Sequence, residues 1–148
     1  MSGSVISIQL CVGHRDPMQS VESAEMKAGY GIEGDRHAVS EGVRTKRQVL
    51  LTDEETLAKF GLSRGDIREN ITATGIAIHS LKEGDRVSLG AAAVVEITGH
   101  CAPCARMDEI RDGLRVALEG QRGMLATVIS GGTVNVGDEV RALEPAMA

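Results

Sequence analysis

Tryptophan is absent, and Tyr30 and Phe60 are the sole tyrosine and phenylalanine of the 148 residues. A chain so poor in rings has no stacking platform for unpaired bases, which argues against single-stranded nucleic-acid binding. Its core must be assembled from Val, Ile, Leu, Ala and Met. Excess positive charge is lacking too. The net charge is −5, so no global basic field draws phosphate polymers, and nucleic acid is not an expected partner. Met1–Leu10 holds no basic region followed by a long apolar stretch, and no later run is long enough to span a bilayer. The expectation is no signal peptide, no membrane association and a cytoplasmic location. Only three cysteines occur, Cys11, Cys101 and Cys104. An odd, small number does not make a disulfide framework.

What is present suits one globular domain over residues 1–148, with a core from about residue 4 to 143. The basic residues are lopsided, 12 Arg against 4 Lys. Arg is the better fork for a fixed oxyanion, although a compositional bias of the genome gives the same ratio. Val5–Val12 reads as an opening strand and Ser20–Lys27 as a second. Gly29–Asp35, with three glycines, reads as a loop. Arg47–Thr52 reads as a buried strand, followed by a helix Glu54–Phe60 that Thr52 or Asp53 caps and Gly61 stops. Ile67–Ala73 reads as a strand. Arg86–Leu89 and Ala92–Thr98 form a hairpin at Gly90. Pro103–Glu119 is helical, broken near Gly113, and Met124–Ile129, Thr133–Val136 and Glu139–Leu143 close the chain as strands. Glu144–Ala148 reads as frayed. Gly84-Asp85-Arg86-Val87 and Gly137-Asp138-Glu139-Val140 repeat a Gly-Asp turn, which turn chemistry explains without an internal repeat. Many short strands at close spacing point to a mainly β, closed-barrel fold with a few short peripheral helices.

The sharpest chemical feature is His100-Cys101-Ala102-Pro103-Cys104, between a strand and a helix. Three readings compete. A C-x-x-C redox pair suits a strand–helix junction, but thioredoxin-like folds place it after an early strand. A structural zinc site needs four ligands, and no second C-x-x-C or H-x3-H pair accompanies it; His14, His37 and His79 are scattered. A single thiolate, its pKa lowered at a helix start, would suit a soft metal or a carried sulfur. Against all three stands a pair of cysteines that simply fill the core. In Gly29–His37, the glycines allow positive φ, so that backbone N–H groups could cradle an anion, with Arg36 and His37 adding charge-assisted bonds. The loop matches neither a Walker loop nor a dinucleotide fingerprint, and as a plain turn it needs no ligand. In Arg68-Glu69-Asn70-Ile71, Arg68 and Asn70 two apart on a strand would share a face, able to hold an oxyanion and a carbonyl. A solvated strand face accounts for them equally.

GIEGDRH at Gly31–His37, RQVLLT at Arg47–Thr52, RENI at Arg68–Ile71, EGDRVSLG at Glu83–Gly90, VEITGHCAPC at Val95–Cys104, RGML from Arg122 and GGTVNVGDEV up to Val140 occur in this order. Together they resemble the MOSC domain, named for the C-terminal part of molybdenum-cofactor sulfurases. The resemblance implies an all-β barrel that handles the molybdenum cofactor, a pyranopterin-bound molybdenum, and reduction of N-hydroxylated small molecules by stand-alone members. It implies Cys104 as the metal ligand and catalytic thiol, Cys101 as an extra cysteine, and Arg36 and Arg68 as contacts to the cofactor, with His37, Glu69 and Asn70 lining the site. The expectation is neither a pyridoxal-phosphate desulfurase domain nor the N-terminal extension of amidoxime reductases. A cysteine desulfurase or an electron-donor protein, flavin or iron–sulfur, is therefore the implied partner. A carrier of a persulfide on Cys104, without turnover, needs the same thiol, and a Cys101/Cys104 dithiol protein is the third reading. All require Arg36, Arg68 and Cys104 to meet at one mouth of the barrel.

Overall fold

The computed structural model describes residues 2–13 and 15–143; the stretch Glu144–Ala148 lies outside them. Among the described residues the strands are β1 (Ser2–Leu10), β2 (Gln19–Val21), β3 (Ser23–Lys27), β4 (Gly31–Ile32), β5 (Val49–Asp53), β6 (Ile71–Thr74), β7 (Arg86–Leu89), β8 (Ala93–His100), β9 (Met124–Ser130), β10 (Gly132–Asn135) and β11 (Glu139–Ala142). The helices are α1 (Glu54–Lys59), α2 (Ala105–Ile110) and α3 (Leu114–Ala117). None is long and apolar enough to cross a membrane.

Seven strands close a barrel in the order β1, β11, β7, β8, β9, β5, β6 and back to β1. Strands β8 and β9 alternate buried and half-exposed residues along their length, the period-two pattern of a sheet with one buried face. Their inner side chains, with Val5, Ile8, Val49, Leu51, Ile71, Val87, Leu89 and Val140, fill the lumen with aliphatic groups. Each such side chain contributes roughly 1.5–3 kcal/mol on burial. The segment expected as one strand, Ser20–Lys27, is broken at Glu22: β2 extends β1 in the large sheet, whereas β3 pairs with β10 and β4 in a small second sheet. Ala24, Met26, Ile32 and Val134 of that sheet join the barrel core. The repeated Gly-Asp turns are the same device used twice. Asp85 accepts the Lys82 N–H and Asp138 the Asn135 N–H, each at 2.8 Å.

Among the described residues only β5 and β6 run parallel, and parallel neighbours need a crossover rather than a tight turn. That crossover carries α1 and the Arg68 segment. It packs with α2 and α3 into a separate cluster outside the barrel, built from Leu57, Ile67, Met107, Leu114 and Leu118. Asp53 starts the crossover. It caps α1 by accepting the Thr56 N–H at 2.7 Å, and it also accepts the N–H of Ile78 at 3.2 Å. Burial opposes its ionisation, but hydrogen bonds from His79 and Thr56 outweigh it and hold the carboxyl below its ordinary value of 3.8.

Asp53→Ala removes a helix cap and strands a buried N–H, so urea unfolding should show a loss of about 2–3 kcal/mol at neutral pH. Because the folded-state pKa is lowered, the wild type should lose this contribution only as pH falls below about 4. The variant should lack that part of the acid-side decline.

Candidate functional site

Strands β1 and β8 end, and β6 and β9 begin, at one rim of the barrel, since Ile8, Ile71, Leu51, Met124 and His100 lie in mutual register across it. The loops leaving this rim enclose a cavity of about 330 Å³. Leu50 and Leu125 form its floor. They are cross-strand partners whose neighbours Val49, Leu51, Met124 and Ala126 fill the lumen, so by alternation the pair points outward. The cavity thus lies at the rim on the outer wall, and not inside the packed barrel. Cys104, Arg36 and Arg68 all line it.

The Gly29–His37 loop reaches the cavity through its buried carboxylate. Asp35 accepts the N–H of Cys11 at 2.7 Å and of His37 at 3.0 Å, and the side-chain amide of Asn70 at 3.0 Å. Asn70 in turn donates to the Gln9 carbonyl and accepts the Leu50 N–H at 3.0 Å. The glycines do take positive φ, but the backbone is not an anion cradle. The N–H groups of Gly29, Tyr30, Glu33, Asp35 and Arg36 all bond to carbonyls within the protein. What the loop presents to the cavity is the Arg36 side chain, with His37 Nδ1 held 3.4 Å from Asp35.

The Arg68 segment corrects the sequence reading. It is a turn, not the first part of a strand, and β6 begins only at Ile71. Arg68 has φ 65, the sole positive value among the described non-glycine residues, a conformation that costs about 1–2 kcal/mol. Neighbours on both sides impose it: Ile67 is buried in the helical cluster, and Glu69 and Asn70 are buried against the barrel. Arg68 and Asn70 therefore meet through a turn and not by sharing a strand face. The Arg68 guanidinium bonds to the Asp16 and Gly13 carbonyls at 2.6 and 2.9 Å and touches Cys11 Sγ at 3.1 Å. Glu69 does not line the cavity. Its carboxylate accepts the Gly65 N–H and the Thr72 hydroxyl, and burial pushes its pKa up.

Three residues beyond Cys101, Cys104 is exposed and occupies the N-cap of α2 without making a side-chain capping bond. Cys101 is buried, and its N–H donates to the Gly123 carbonyl at 2.9 Å. Gly123 has φ 118, and a Cβ there would stand 2.8 Å from the Leu51 carbonyl oxygen, so only glycine lets this loop close on β5. Arg122, 9% exposed, donates to Cys101 Sγ at 3.3 Å, to the Ala102 carbonyl at 3.2 Å and to the Ile67 carbonyl at 3.3 Å. Its Nε has no partner. Burial pushes the Cys101 thiol up, against the opposing charges of Arg122 and Arg47.

Sequence reading missed Cys11, Arg47, Arg106 and Arg122, which complete the wall. Their signal was the arginine surplus: five of the 12 arginines and all three cysteines line this cavity, and no carboxylate does. Among the described residues the guanidinium groups of Arg36 and Arg47 have no hydrogen-bond or ion-pair partner. Both residues are exposed, so their planar forks are open to an incoming anion. No three His, Cys, Asp or Glu side chains of the described residues come together to hold a metal ion. A metal at Cys104 would have to bring its remaining ligands with it.

Asn70→Ala should cost about 3 kcal/mol or more in urea unfolding, because it leaves the Leu50 N–H and part of the Asp35 carboxylate buried without partners. A loss below about 1 kcal/mol would show that Asn70 does not hold the rim together.

The MOSC domain family matches residues 36–141. Among curated proteins none matches the sequence. The YuaD protein of Bacillus subtilis has a similar structure, with TM-score 0.80 at 21% identity over 95% of this chain and 94% of that one. YiiM of Escherichia coli superposes with TM-score 0.74 at 15% identity over 100% and 72% of the two chains, and YiiM of Geobacillus stearothermophilus with 0.72 at 17% over 96% and 75%. At such identities these likenesses speak to the fold, a closed barrel with short outer helices. The family match runs from the cavity's Arg36 through Arg68, Cys104 and Arg122 to the last strand, and the chain belongs to the MOSC domain family.

Proposed function

We propose that the rim cavity binds the pyranopterin molybdenum cofactor, with Cys104 as the protein ligand of the metal. The observation that carries this reading is one accessible thiol sharing a cavity with five guanidinium groups and no carboxylate. A soft thiolate suits molybdenum, and planar guanidinium forks suit a phosphate and a polar pterin rim. The volume, about 330 Å³, falls in the range of small-ligand sites.

In this reading Arg36 and Arg47 hold the phosphate or the pterin. Arg122 supplies a buried positive charge beside Cys101, and Arg68 shapes the wall by pinning Cys11, Gly13 and Asp16. When bound, the molybdenum centre supplies two-electron chemistry, such as reduction of an N–OH group to N–H. The chain's own residues bind, orient and ligate. A second hollow of about 460 Å³ shares Arg68 and Arg106 with the first and leaves room for a small-molecule substrate. An electron-donor protein is the partner this function needs.

The exposure of Cys104 also favours a carrier reading, in which the same thiol takes up a sulfur as a persulfide from a donor such as a cysteine desulfurase.

Protein purified from a host able to make the cofactor should contain molybdenum and pterin at about one equivalent per chain, as one ligating thiolate implies. Repeated absence of both from such preparations would rule the cofactor reading out. Cys104→Ser should lose the metal, because an alcohol is a poor soft ligand.

The two arginine variants should separate. Arg36→Lys should weaken cofactor retention about tenfold or more, the equivalent of one charge-assisted fork, with an unchanged melting temperature. Arg68→Lys should weaken retention and also lower the melting temperature, since it releases the loop at Gly13 and Asp16. Normal retention by both variants in metal and pterin analysis would show that the guanidiniums serve the barrel wall only.

A further inference from the structure

Two of the three cysteines have no part in the proposed cofactor ligation, and one of them stands where it could act on Cys104. Cys101 and Cys104 line the same cavity. Only Ala102 and Pro103 separate them in the chain. Their exposures are opposite: Cys104 is open to a sulfur donor, whereas Cys101 is 2% exposed and shielded from anything bulky. Arg122 places a guanidinium N–H 3.3 Å from Cys101 Sγ, and that contact would stabilise negative charge developing on sulfur within the cavity. The other buried cysteine, Cys11, is bound differently. Its sulfur is held between Arg68 and the Gly13 carbonyl, on the far motif of the site.

We infer that Cys101 is a resolving thiol, which discharges a persulfide carried on Cys104 and releases the sulfur as hydrosulfide into the arginine-lined cavity. The inference rests on the carrier reading of Cys104. The Cys101 sulfur attacks the Sγ of the Cys104 persulfide anion. The bond between that Sγ and the terminal sulfur breaks, and the proton of the Cys101 thiol passes to the terminal sulfur. The products are a Cys101–Cys104 disulfide and one HS⁻. The Cys101 sulfur is oxidised, the terminal sulfur is reduced, and the single negative charge moves from the persulfide to the hydrosulfide. An external dithiol reductant then restores both thiols, so each cycle consumes one persulfide and one dithiol. The guanidinium groups around the cavity would hold the hydrosulfide at the place where a metal bound to Cys104 would receive it.

The test uses the full-length, fully reduced protein without cofactor. Cys104 is loaded with inorganic polysulfide, excess reagent is removed, released sulfide is assayed over time, and only then are remaining thiols alkylated and peptides mapped by mass spectrometry. The wild type should release about one sulfide per chain, and the peptide holding both cysteines should become two hydrogens lighter, the mark of an intramolecular disulfide. Cys101→Ser should keep the extra sulfur on Cys104, with release slowed about a hundredfold or more, because only external thiols can then attack. Cys11→Ser should still form the Cys101–Cys104 disulfide. A wild type that retains its persulfide as long as Cys101→Ser does overturns the inference, as does a disulfide from Cys104 to Cys11 or between two chains. The wild-type map decides the matter even if a variant fails to fold. Failure of Cys104 to take up any sulfur removes the carrier reading and this inference together, while uptake without release removes this inference alone. Molybdenum retention is measured separately and is untouched by either result.

Discussion

The side-chain amide of Asn70 lies between the Asp35 carboxylate, the Gln9 carbonyl and the Leu50 N–H, and the site depends on that junction. Four parts of the chain meet there: the end of β1, the glycine loop, the floor strand β5 and the turn before β6. Asp35 extends the junction to Cys11 and His37. The Asn70 and Asp35 side chains are buried, and their bonds to each other and to Gln9, Leu50 and Cys11 join parts of the chain far apart in sequence. Loss of one partner exposes the others to the full desolvation penalty. The junction explains why Arg36 and Arg68, thirty-two positions apart by their numbers, open onto one cavity. Their neighbours Asp35 and Asn70 are bonded to each other beneath it.

The parallel pairing of β5 with β6 has a similar reach. It requires a crossover, and the crossover supplies both the helical layer outside the barrel and the strained turn at Arg68. Ile67 anchors that turn in the helical cluster, and Ile71 anchors it in the lumen. With both anchors fixed, the residues between them have little choice of backbone, and the left-handed conformation of Arg68 is the consequence. The same two layers set the character of the cavity. Aliphatic side chains fill the lumen below, and the outward Leu50–Leu125 pair gives an apolar floor beneath the arginine side chains.

The thiols share this cavity in unequal environments. Cys104 is exposed at the start of α2. Cys101 is buried, fixed through its N–H to Gly123, and in contact with Arg122. A single loop of four residues thus presents one sulfur to incoming molecules and keeps a second behind it, and the backbone contact of Gly123 with β5 makes that arrangement possible.

Much of the architecture was legible from local chemistry. The runs Ala92–Thr98 and Met124–Ile129 marked β8 and β9, Thr52 or Asp53 marked a helix start, Gly90 marked a hairpin, and the Gly-Asp tetrads marked two equivalent turns. These features depend on residues near one another in the chain, where propensity and hydrogen-bonding capacity act directly. Cys104 and Arg36 could be selected because motif order pointed to the MOSC domain. Other features were not local. Ile67–Ala73 has the composition of a strand, yet burial of Ile67 in one cluster and Ile71 in another forces a turn between them. Glu69, which sits in the same motif as Arg68, faces away from the cavity for the same reason. Arg47, Arg106 and Arg122 showed in the sequence only as part of an arginine surplus. The sequence by itself determined a β-rich chain with an aliphatic core and a reactive-looking cysteine. Tertiary structure alone decided which charges lie together, because the electrostatics of a cavity depends on groups brought near through space, and the residues that bring them there are distant partners in buried hydrogen bonds.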